Sequence, residues 1–239
     1  MRYAITAERE GARRPSDDTL SVLPLFDDVL GCERFVQRVL RFPPGRSSAR
    51  VERARDELLY VLAGRAELTV GGQRVELAEG TGIFLAAGSS WSLDCRSALE
   101  CLSVLVCDPE RAPRAHGRVD LAAARRRSAT AARQFVLGVG PEVGCASATQ
   151  FLGFVPPGRA PDHYHRYDEV LYILAGEGLV HIEGEQAPLA AGTSVHLPAR
   201  LVHCLENTGA SELELLGVFR PAGSPAEAYY PDGTPARYG

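Results

Sequence analysis

Residues 168–199 read DEVLYILAGEGLVHIEGEQAPLAAGTSVHLPA, and residues 56–87 read DELLYVLAGRAELTVGGQRVELAEGTGIFLAA. The two stretches align without gaps at an offset of 112, and 14 of the 32 aligned positions are identical. The match continues upstream at an offset of 113, where Pro-Pro-Gly-Arg occurs at 43–46 and again at 156–159. A repeat of this length indicates that the chain contains two copies of one structural unit.

Each copy of the repeat has the pattern of short β-strands. The apolar runs 58–62 and 170–174 both end at Ala-Gly, which is typical of a buried strand that enters a turn. Glycines at 71–72 and 184 mark hairpin turns between further runs. Strands that recur about every 8–12 residues predict an all-β sandwich or barrel rather than βαβ units.

The composition of the 239 residues excludes several classes of function. Hydrophobic residues make up 45% and charged residues 23%, as in soluble globular proteins. The chain has no lysine, which excludes Schiff-base chemistry and phosphate-binding P-loops. With a net charge of −4 and no large basic block, we expect no nucleic-acid partner. No apolar run is long enough to cross a membrane. Because the start, MRYAITAERE, lacks the apolar core of a secretory signal, we expect a cytoplasmic protein.

Five of the six histidines lie between positions 163 and 203. His163 and His165 are two residues apart, so both imidazoles face the same side of an extended segment. Glu169 keeps the same parity, and His203 comes from the strand that follows the turn at Pro198. Imidazole suits zinc, iron, copper or nickel, and an added carboxylate favours a harder ion with open coordination positions. The four residues therefore predict a site for one divalent transition metal.

The first copy of the repeat lacks this ligand set. At the offset of 112, the four predicted ligands correspond to Val51, Arg53, Glu57 and Trp91. The carboxylate alone remains, and Arg53 beside it would favour an ion pair over a metal. Trp91 is expected to fill the space that His203 leaves for an ion. The first copy is therefore predicted to be metal-free, as a supporting or dimerisation module.

The sequence resembles the cupin superfamily at two motifs. These read Gly158-x4-His163-Tyr164-His165-x3-Glu169-x6-Gly176 and Gly192-x5-Pro198-x4-His203-x3-Asn207. The resemblance implies an all-β fold of two tandem jelly-roll β-barrels, a bicupin, with a metal site only in the C-terminal barrel. The first motif is one residue short between its glycine and first histidine, and Arg200 stands where the second motif usually has glycine. Both departures lie outside the ligand set and concern loop shape.

The duplication predicts five segments. They are an N-terminal arm at 1–28, an N-terminal cupin at 29–110, an Arg/Ala-rich linker at 111–133, a C-terminal metal-binding cupin at 134–221, and a Pro/Gly/Tyr-rich tail at 222–239. The linker is interpreted as a solvated segment with one helical turn. Its arginines are therefore not interpreted as a binding patch. The arm and tail are expected to become ordered by packing on a neighbouring domain or subunit, and a homodimer is expected.

The resemblance implies a metal-dependent enzyme that acts on a small molecule. The first hypothesis is a non-haem iron dioxygenase, because three histidines and a glutamate leave two octahedral positions for substrate and oxygen. The second is a redox-neutral isomerase, decarboxylase or hydrolase that uses manganese, zinc, nickel or cobalt as a Lewis acid. The third is a non-catalytic small-molecule-binding module, which is disfavoured because the arms and linker show no DNA-binding helical pattern.

Further residues are candidates for roles around the metal. Glu169 either completes the ligand set or acts as a base. His196 is either a proton shuttle near the site or a residue on the outer face of the barrel. Tyr167 shares the parity of His165, and Gln150 aligns with Gln37 of the metal-free copy. Substrate contacts are predicted for Tyr167, Gln150 and Arg200, and an arginine at the barrel mouth would favour an anionic group.

Overall fold

The computed structural model describes residues 3–7, 20–112, 115–129 and 132–236. These residues form 22 β-strands and two single-turn 3-10 helices, Asp28–Leu30 and Pro141–Val143. The predicted all-β architecture is confirmed. No helix in the described ranges is long and apolar enough to cross a lipid bilayer. The chain forms two compact units, each built around one copy of the repeat.

The N-terminal unit comprises described residues 20–112, 115–123 and 138–148. Its strands are β2 (Ser21–Phe26), β3 (Phe35–Phe42), β4 (Gly45–Arg46), β5 (Arg50–Val51), β6 (Asp56–Ala63), β7 (Arg65–Val70), β8 (Gln73–Ala78), β9 (Thr81–Leu85), β10 (Ser90–Cys95), β11 (Leu99–Val106) and β12 (His116–Asp120). One sheet has the order β12-β9-β6-β11-β3-β2. The other has the order β4-β10-β7-β8, and β5 also pairs with β10. Apolar side chains of both sheets, such as Leu59 and Leu68, form the core between them.

The C-terminal unit comprises described residues 3–7, 124–129, 132–137 and 149–236. Its strands are β1 (Ala4–Ala7), β13 (Arg127–Ser128), β14 (Gln134–Leu137), β15 (Thr149–Val155), β16 (Gly158–Arg159), β17 (Asp168–Ala175), β18 (Glu177–Ile182), β19 (Glu185–Ala190), β20 (Thr193–Leu197), β21 (His203–Asn207) and β22 (Leu213–Arg220). The larger sheet has the order β1-β20-β17-β22-β15-β14-β13, and the smaller one has the order β16-β21-β18-β19. Ile173, Val180 and Phe219 are among the residues of its core.

The Ala-Gly dipeptide that ends the first long apolar run of each copy forms a close turn, as the sequence predicts. Gly64 and Gly176 both adopt a positive φ, +94° and +87°, which disfavours other residues. A Cβ atom at position 64 would lie 2.1 Å from the carbonyl oxygen of Ala98, and one at position 176 would lie 2.9 Å from that of Glu212. The repeat conserves glycine here because the neighbouring chain leaves no room for a side chain.

Segments outside the repeat contribute strands rather than free arms. In the predicted N-terminal arm, β1 pairs with β20 and β2 pairs with β3. In the predicted linker, residues 116–120 form β12, which extends the sheet beside β9, where a loop with one helical turn was expected. Gly117 permits this strand, because a Cβ there would lie 2.2 Å from the carbonyl oxygen of Val143. The parts of the predicted segments at 1–2, 8–19, 113–114, 130–131 and 237–239 lie outside the described residues.

Candidate metal centre

Three histidines meet in the C-terminal barrel. His163 and His165 lie in the connection between β16 and β17, and His203 begins β21. The backbones of His163 and His203 form two reciprocal hydrogen bonds, of 3.0 and 2.9 Å, which hold the two residues side by side. One ring nitrogen of each histidine lies within 4.8 Å of the others, and all three side chains are buried. The structure therefore brings these three sequence-predicted residues into one group.

Backbone carbonyl groups fix the orientation of all three imidazole rings. The Nδ1 atoms of His163, His165 and His203 lie 2.8, 2.7 and 2.9 Å from the carbonyl oxygens of Pro161, Glu227 and Leu201, respectively. A carbonyl oxygen accepts only, so each Nδ1 carries the proton and donates it. The lone pair of each ring is then on Nε2, and this nitrogen is the one that can bind a metal.

The surroundings keep these rings neutral. Burial is the largest cause and lowers the pKa of His165 to about 3 and that of His203 to about 4. The pKa of His163 is also lowered well below its usual value, first by burial and then by His203 and Arg133. Because a metal ion competes with protons for the same lone pairs, neutral imidazoles at physiological pH favour ion binding.

Glu169 lines the same cavity as the three histidines. It lies on β17 with its side chain on the same face as Leu171 and Ile173, which point into the barrel core. Its carboxylate does not belong to the cluster of ring nitrogens within 4.8 Å. Burial raises the pKa of Glu169 to about 8, and Arg133 opposes that shift. Below that pH, the metal-free protein holds a proton on this carboxyl group.

Arg133 is a residue of this site that the sequence did not predict. The sequence places it in the predicted solvated linker, but its side chain lines the cavity with the three histidines and Glu169. Its Nη1 lies 3.4 Å from Nε2 of His163. Burial lowers the pKa of the guanidinium group, and Tyr167 and Glu169 raise it. The sequence carries no signal for this role, because position 133 lies outside the stretches that align in the repeat.

The C-terminal tail also takes part in the site. The carbonyl oxygen of Glu227 accepts the hydrogen bond from His165, and Pro225 lines the cavity. Tyr229 exchanges two backbone hydrogen bonds with Tyr164, and their rings stack with centroids 5.5 Å apart. Since Tyr164 lies between the two histidines of the first motif, the tail holds that segment in place.

Removal of the tail should therefore weaken metal binding. A chain that ends at Ala222 loses the carbonyl that orients His165, and loss of such a partner typically costs about 10–100-fold in metal affinity. Competition with a fluorescent chelator measures this affinity. A chain that lacks only residues 237–239 is the control and should bind as the full chain does. Equal affinity of both shortened chains would contradict a role of the tail.

The remaining predicted site residues do not line the cavity. Tyr167 lies behind the site, where its ring stacks on those of His165 at 4.6 Å and Phe219 at 4.1 Å. His196 lies on the face of β20 opposite to the core residues Val195 and Leu197, which is the outer-face alternative of its prediction. Gln150 likewise neighbours Phe151 on β15 but faces away from it.

Arg200 occupies the position where the second motif usually has glycine, and the backbone conformation at this position is one that favours glycine. Its φ is +68°, in the left-handed region, and its side chain is exposed rather than directed into the cavity. Its N–H donates to the carbonyl oxygen of His165 over 2.7 Å. The turn therefore supports His165 through the backbone, at the cost of a conformation that non-glycine residues disfavour.

Replacement of Arg200 by glycine should stabilise the protein. Glycine adopts the left-handed conformation without steric cost but loses more freedom on folding, so we expect a net gain of about 0.5–1 kcal/mol in the free energy of unfolding. Urea unfolding of the metal-free protein, followed by circular dichroism, measures the change. Arg200→Ala removes the same side chain but keeps the backbone cost, so an equal gain in both variants would refute the explanation.

In the N-terminal unit, an ion pair and an aromatic ring take the place of the metal ligands. Glu57 is buried and accepts hydrogen bonds from Arg38 at 2.9 Å and from Ser103 at 2.5 Å. The predicted partner was Arg53, so the prediction of an ion pair holds with a different arginine. Trp91 is buried in the core, edge-on to Phe42 with centroids 6.5 Å apart. Among the residues that the structure describes, no second group of metal-ligating side chains like that of the histidines occurs.

Comparison with models of known protein families finds the same family in both copies of the repeat. The family model described as "Cupin domain" matches residues 38–105 and 151–219, more than half of the chain. The chain belongs to the cupin family. Because the two matched regions coincide with the two units, this cupin is a bicupin, as the sequence motifs predict.

Similar proteins of known sequence cover only part of this cupin. An oxalate-binding protein of Thermotoga maritima is 39% identical over 66 residues, which are 27% of this chain and 54% of that protein. The polyketide synthase CurC of Streptomyces cyaneus is 33% identical over 76 residues, 31% of this chain and 49% of that protein. The chain thus spans about half the length of these two curated relatives.

Solved structures share the fold over most of the chain. Ylba from E. coli superimposes with a TM-score of 0.76 at 13% identity and covers 91% of this chain and 90% of its own. Oxalate decarboxylase from Bacillus subtilis superimposes with a TM-score of 0.74 at 14% identity, over 92% of this chain and 77% of its own. At such low identity, the likeness defines the two-barrel fold and not the reaction.

Proposed function

We propose that this bicupin is a metal-dependent enzyme that acts on a small molecule in its C-terminal barrel. His163, His165 and His203 would hold one divalent transition ion through their Nε2 atoms. The observation that carries the proposal is the set of three Nδ1–carbonyl hydrogen bonds, which leaves three neutral nitrogen donors directed to one place. Neutral imidazole donors suit zinc, iron, copper and nickel, so this donor set fits such an ion.

Glu169 would transfer a proton in the reaction. It is buried in the wall of the same cavity as the histidines, on the side of the barrel formed by β17. Its pKa of about 8 in the metal-free protein is close to the range in which a carboxyl group is an effective acid or base. A nearby dication would favour its ionised form, so we assign it the role of base toward bound substrate.

A proton-transfer residue beside a metal site supports redox-neutral chemistry, such as isomerisation, decarboxylation or hydrolysis. The ion would supply Lewis acidity toward a substrate oxygen. The names of two similar proteins, an oxalate-binding protein and an oxalate decarboxylase, support a small organic substrate. The isomerase, decarboxylase or hydrolase hypothesis is therefore the one that we place first.

A dioxygenase with ferrous iron, the first hypothesis from the sequence, is the second candidate. One observation favours it, the apolar lining of the cavity around the histidines. The apolar side chains there are Phe135, Phe151, Val155, Leu171, Leu205 and Leu215. Such a lining excludes water from reactive species and admits dioxygen.

Two measurements test the proposal. Elemental analysis of the purified protein should find about one equivalent of a transition metal per chain, and a protein that takes up no such metal would refute the metal site. Oxygen consumption by the iron-loaded protein with a panel of small organic acids then separates the two chemistries. Substrate-dependent oxygen uptake would overturn the redox-neutral assignment in favour of the dioxygenase.

We further propose that the N-terminal barrel supports the fold without a metal. Its one retained carboxylate, Glu57, is already held by Arg38 and Ser103. At the repeat offset of 113, Arg38 corresponds to Phe151, which is an apolar wall residue of the metal-site cavity. Where the C-terminal barrel has the apolar Phe151, the N-terminal barrel has the cation of Arg38. The carboxylate of Glu57 therefore forms an ion pair.

A further inference from the structure

The imidazole of His165 belongs to a stack of three rings in the C-terminal barrel. Its centroid lies 4.6 Å from that of the Tyr167 ring, and the two planes differ by only 9°. Tyr167 also stacks on Phe219, with centroids 4.1 Å apart and planes at 21°. Tyr167 and Phe219 are buried in the barrel core, so the stack joins a predicted metal ligand to the hydrophobic interior.

Strand pairing identifies the counterparts of these residues in the N-terminal barrel. His163 pairs with His203 in one barrel, and Arg50 pairs with Trp91, the repeat counterpart of His203, in the other. The structural counterpart of His163 is therefore Arg50, at an offset of 113. The uniform offset of 112 had indicated Val51, but that side chain is exposed. The two barrels thus differ by one residue in the length of the segment that follows.

The same two positions are in contact in both barrels. At the offset of 113, His165 corresponds to Glu52. Arg55 directly precedes β6, as Tyr167 directly precedes β17. Glu52 and Arg55 form an ion pair of 2.9 Å. The barrel with three histidines therefore has a ring stack where the other barrel has paired charges.

The stack restrains a motion that the hydrogen bond of His165 permits. The Cβ–Cγ torsion of histidine has broad minima, and a carbonyl oxygen accepts hydrogen bonds over a wide range of directions. The bond from Nδ1 of His165 to Glu227 therefore leaves the tilt of the ring loosely defined. The lone pair of Nε2 lies in the ring plane, so a tilt turns it away from an ion held by the other two histidines. A ring that is stacked flat on another loses this contact when it tilts.

We propose that Tyr167, supported by Phe219, is a positioning residue of the metal site and that its ring fixes the direction of the His165 lone pair. This proposal rests on the metal site proposed above. Tyr167 acts through His165 and is not itself a ligand. The proposal also accounts for the difference between the barrels, because a ring stack is needed only where an imidazole must be aimed at an ion.

Cobalt binding to variants of Tyr167 tests the proposal. Tyr167→Leu removes the ring and keeps a bulky apolar side chain. Its affinity for cobalt, measured by competition with a chelator, should fall about tenfold, as is typical when an outer partner of a ligand is lost. The visible absorption of bound cobalt should change as well, because one donor changes direction. Tyr167→Phe keeps the stack and should show the wild-type spectrum and, within about twofold, the wild-type affinity.

Two control variants separate positioning from a general loss of stability. Arg55→Leu changes the repeat counterpart of Tyr167 in the N-terminal barrel. Val180→Ala shortens a buried core side chain of the C-terminal barrel that is not among the described residues lining the cavity. Both variants should keep the wild-type cobalt affinity and spectrum, even where urea unfolding shows a loss of stability.

Phe219→Leu tests the same stack if Tyr167→Leu does not fold. It removes the ring that supports Tyr167 and should lower cobalt affinity about threefold, since an aromatic pair contributes less than a direct partner of the ligand. Proton NMR of the metal-free protein provides a measurement that needs no ion. The ring current of Tyr167 should shift the ring protons of His165 upfield, and this shift should be smaller in Phe219→Leu and absent in Tyr167→Leu.

Four outcomes would overturn the proposal and leave the metal site intact. They are the wild-type affinity and spectrum in Tyr167→Leu, an equal loss in Tyr167→Phe, an equal loss in Val180→Ala, and, where Tyr167→Leu does not fold, the wild-type affinity in Phe219→Leu. The second outcome would assign the effect to the hydroxyl group, and the third to stability alone. A wild type that binds no cobalt is a different result, because it refutes the metal site itself and the positioning role falls with it.

Discussion

His165→Ala protein is expected to purify with less than about a tenth of the metal of the wild type. The substitution removes one of three neutral nitrogen donors, and loss of even an outer-shell partner of a ligand typically lowers metal affinity about 10–100-fold, so loss of the donor itself should lower it at least as much. Inductively coupled plasma mass spectrometry of the purified proteins measures the metal content per chain. His163→Ala and His203→Ala should behave in the same way.

Two control variants separate a ligand from a structural residue. His181→Ala removes a histidine of the same barrel, which pairs with Glu206 over 2.7 Å and does not line the cavity of the histidine group. Glu57→Gln changes the retained carboxylate of the N-terminal barrel. Both should keep the full metal content. A folded His165→Ala protein with normal metal content would refute the assignment of His165, and metal loss in Glu57→Gln would place the ion in the other barrel.

The affinity for the metal is expected to rise about tenfold per pH unit between pH 5 and 8 and to level off above pH 8. In this range the histidines are already neutral, because their pKa values lie at about 3 for His165 and about 4 for His203. Glu169, with its pKa raised to about 8, is protonated in the metal-free protein below that pH. Metal binding then releases this one proton, so the logarithm of the affinity rises with a slope of about one.

Glu169→Gln identifies the source of the proton. The amide cannot ionise, so the affinity of this variant should be nearly constant from pH 5 to 8. Competition with a chelator, corrected for the protonation of the chelator itself, gives both profiles. A constant affinity in the wild type would show that Glu169 keeps its proton beside the ion, which contradicts its assignment as a base. A slope near one in Glu169→Gln would assign the proton to another group.

The histidine group could be predicted because its geometry depends on side chains at fixed spacings. His163 and His165 face the same way in any extended segment, and the glycines and proline of the second motif bring His203 alongside. The repeat then identified what the other barrel lacks, since Trp91 aligns with His203. At these positions the residue type, its spacing and its environment all indicate the same structure. The sequence alone is therefore enough to predict the histidine group and its absence from the other barrel.

Contacts made by the backbone or by segments outside the repeat could not be predicted. Glu227 orients His165 through its carbonyl oxygen, which every residue possesses, so no residue type marks this role. Arg133 lies among many arginines that are typical of a solvated segment, and only the hairpin with β14 directs it into the barrel. The partner of Glu57 was likewise predicted as Arg53, which aligns with His165, whereas the structure places Arg38 within 2.9 Å of the carboxylate.

The pairing of β1 with β20 has a consequence for synthesis of the chain. Ala4 lies opposite His196, so β1 finds its partner only when 192 further positions have been translated. Until then β20 does not exist, and β1 is a short apolar segment exposed in a nascent chain. Once β20 is made without β1, it is an open sheet edge, and such edges pair with other molecules. Expression of the metal-binding barrel alone, from residue 134 onward, would leave that edge uncovered and should yield an aggregating product.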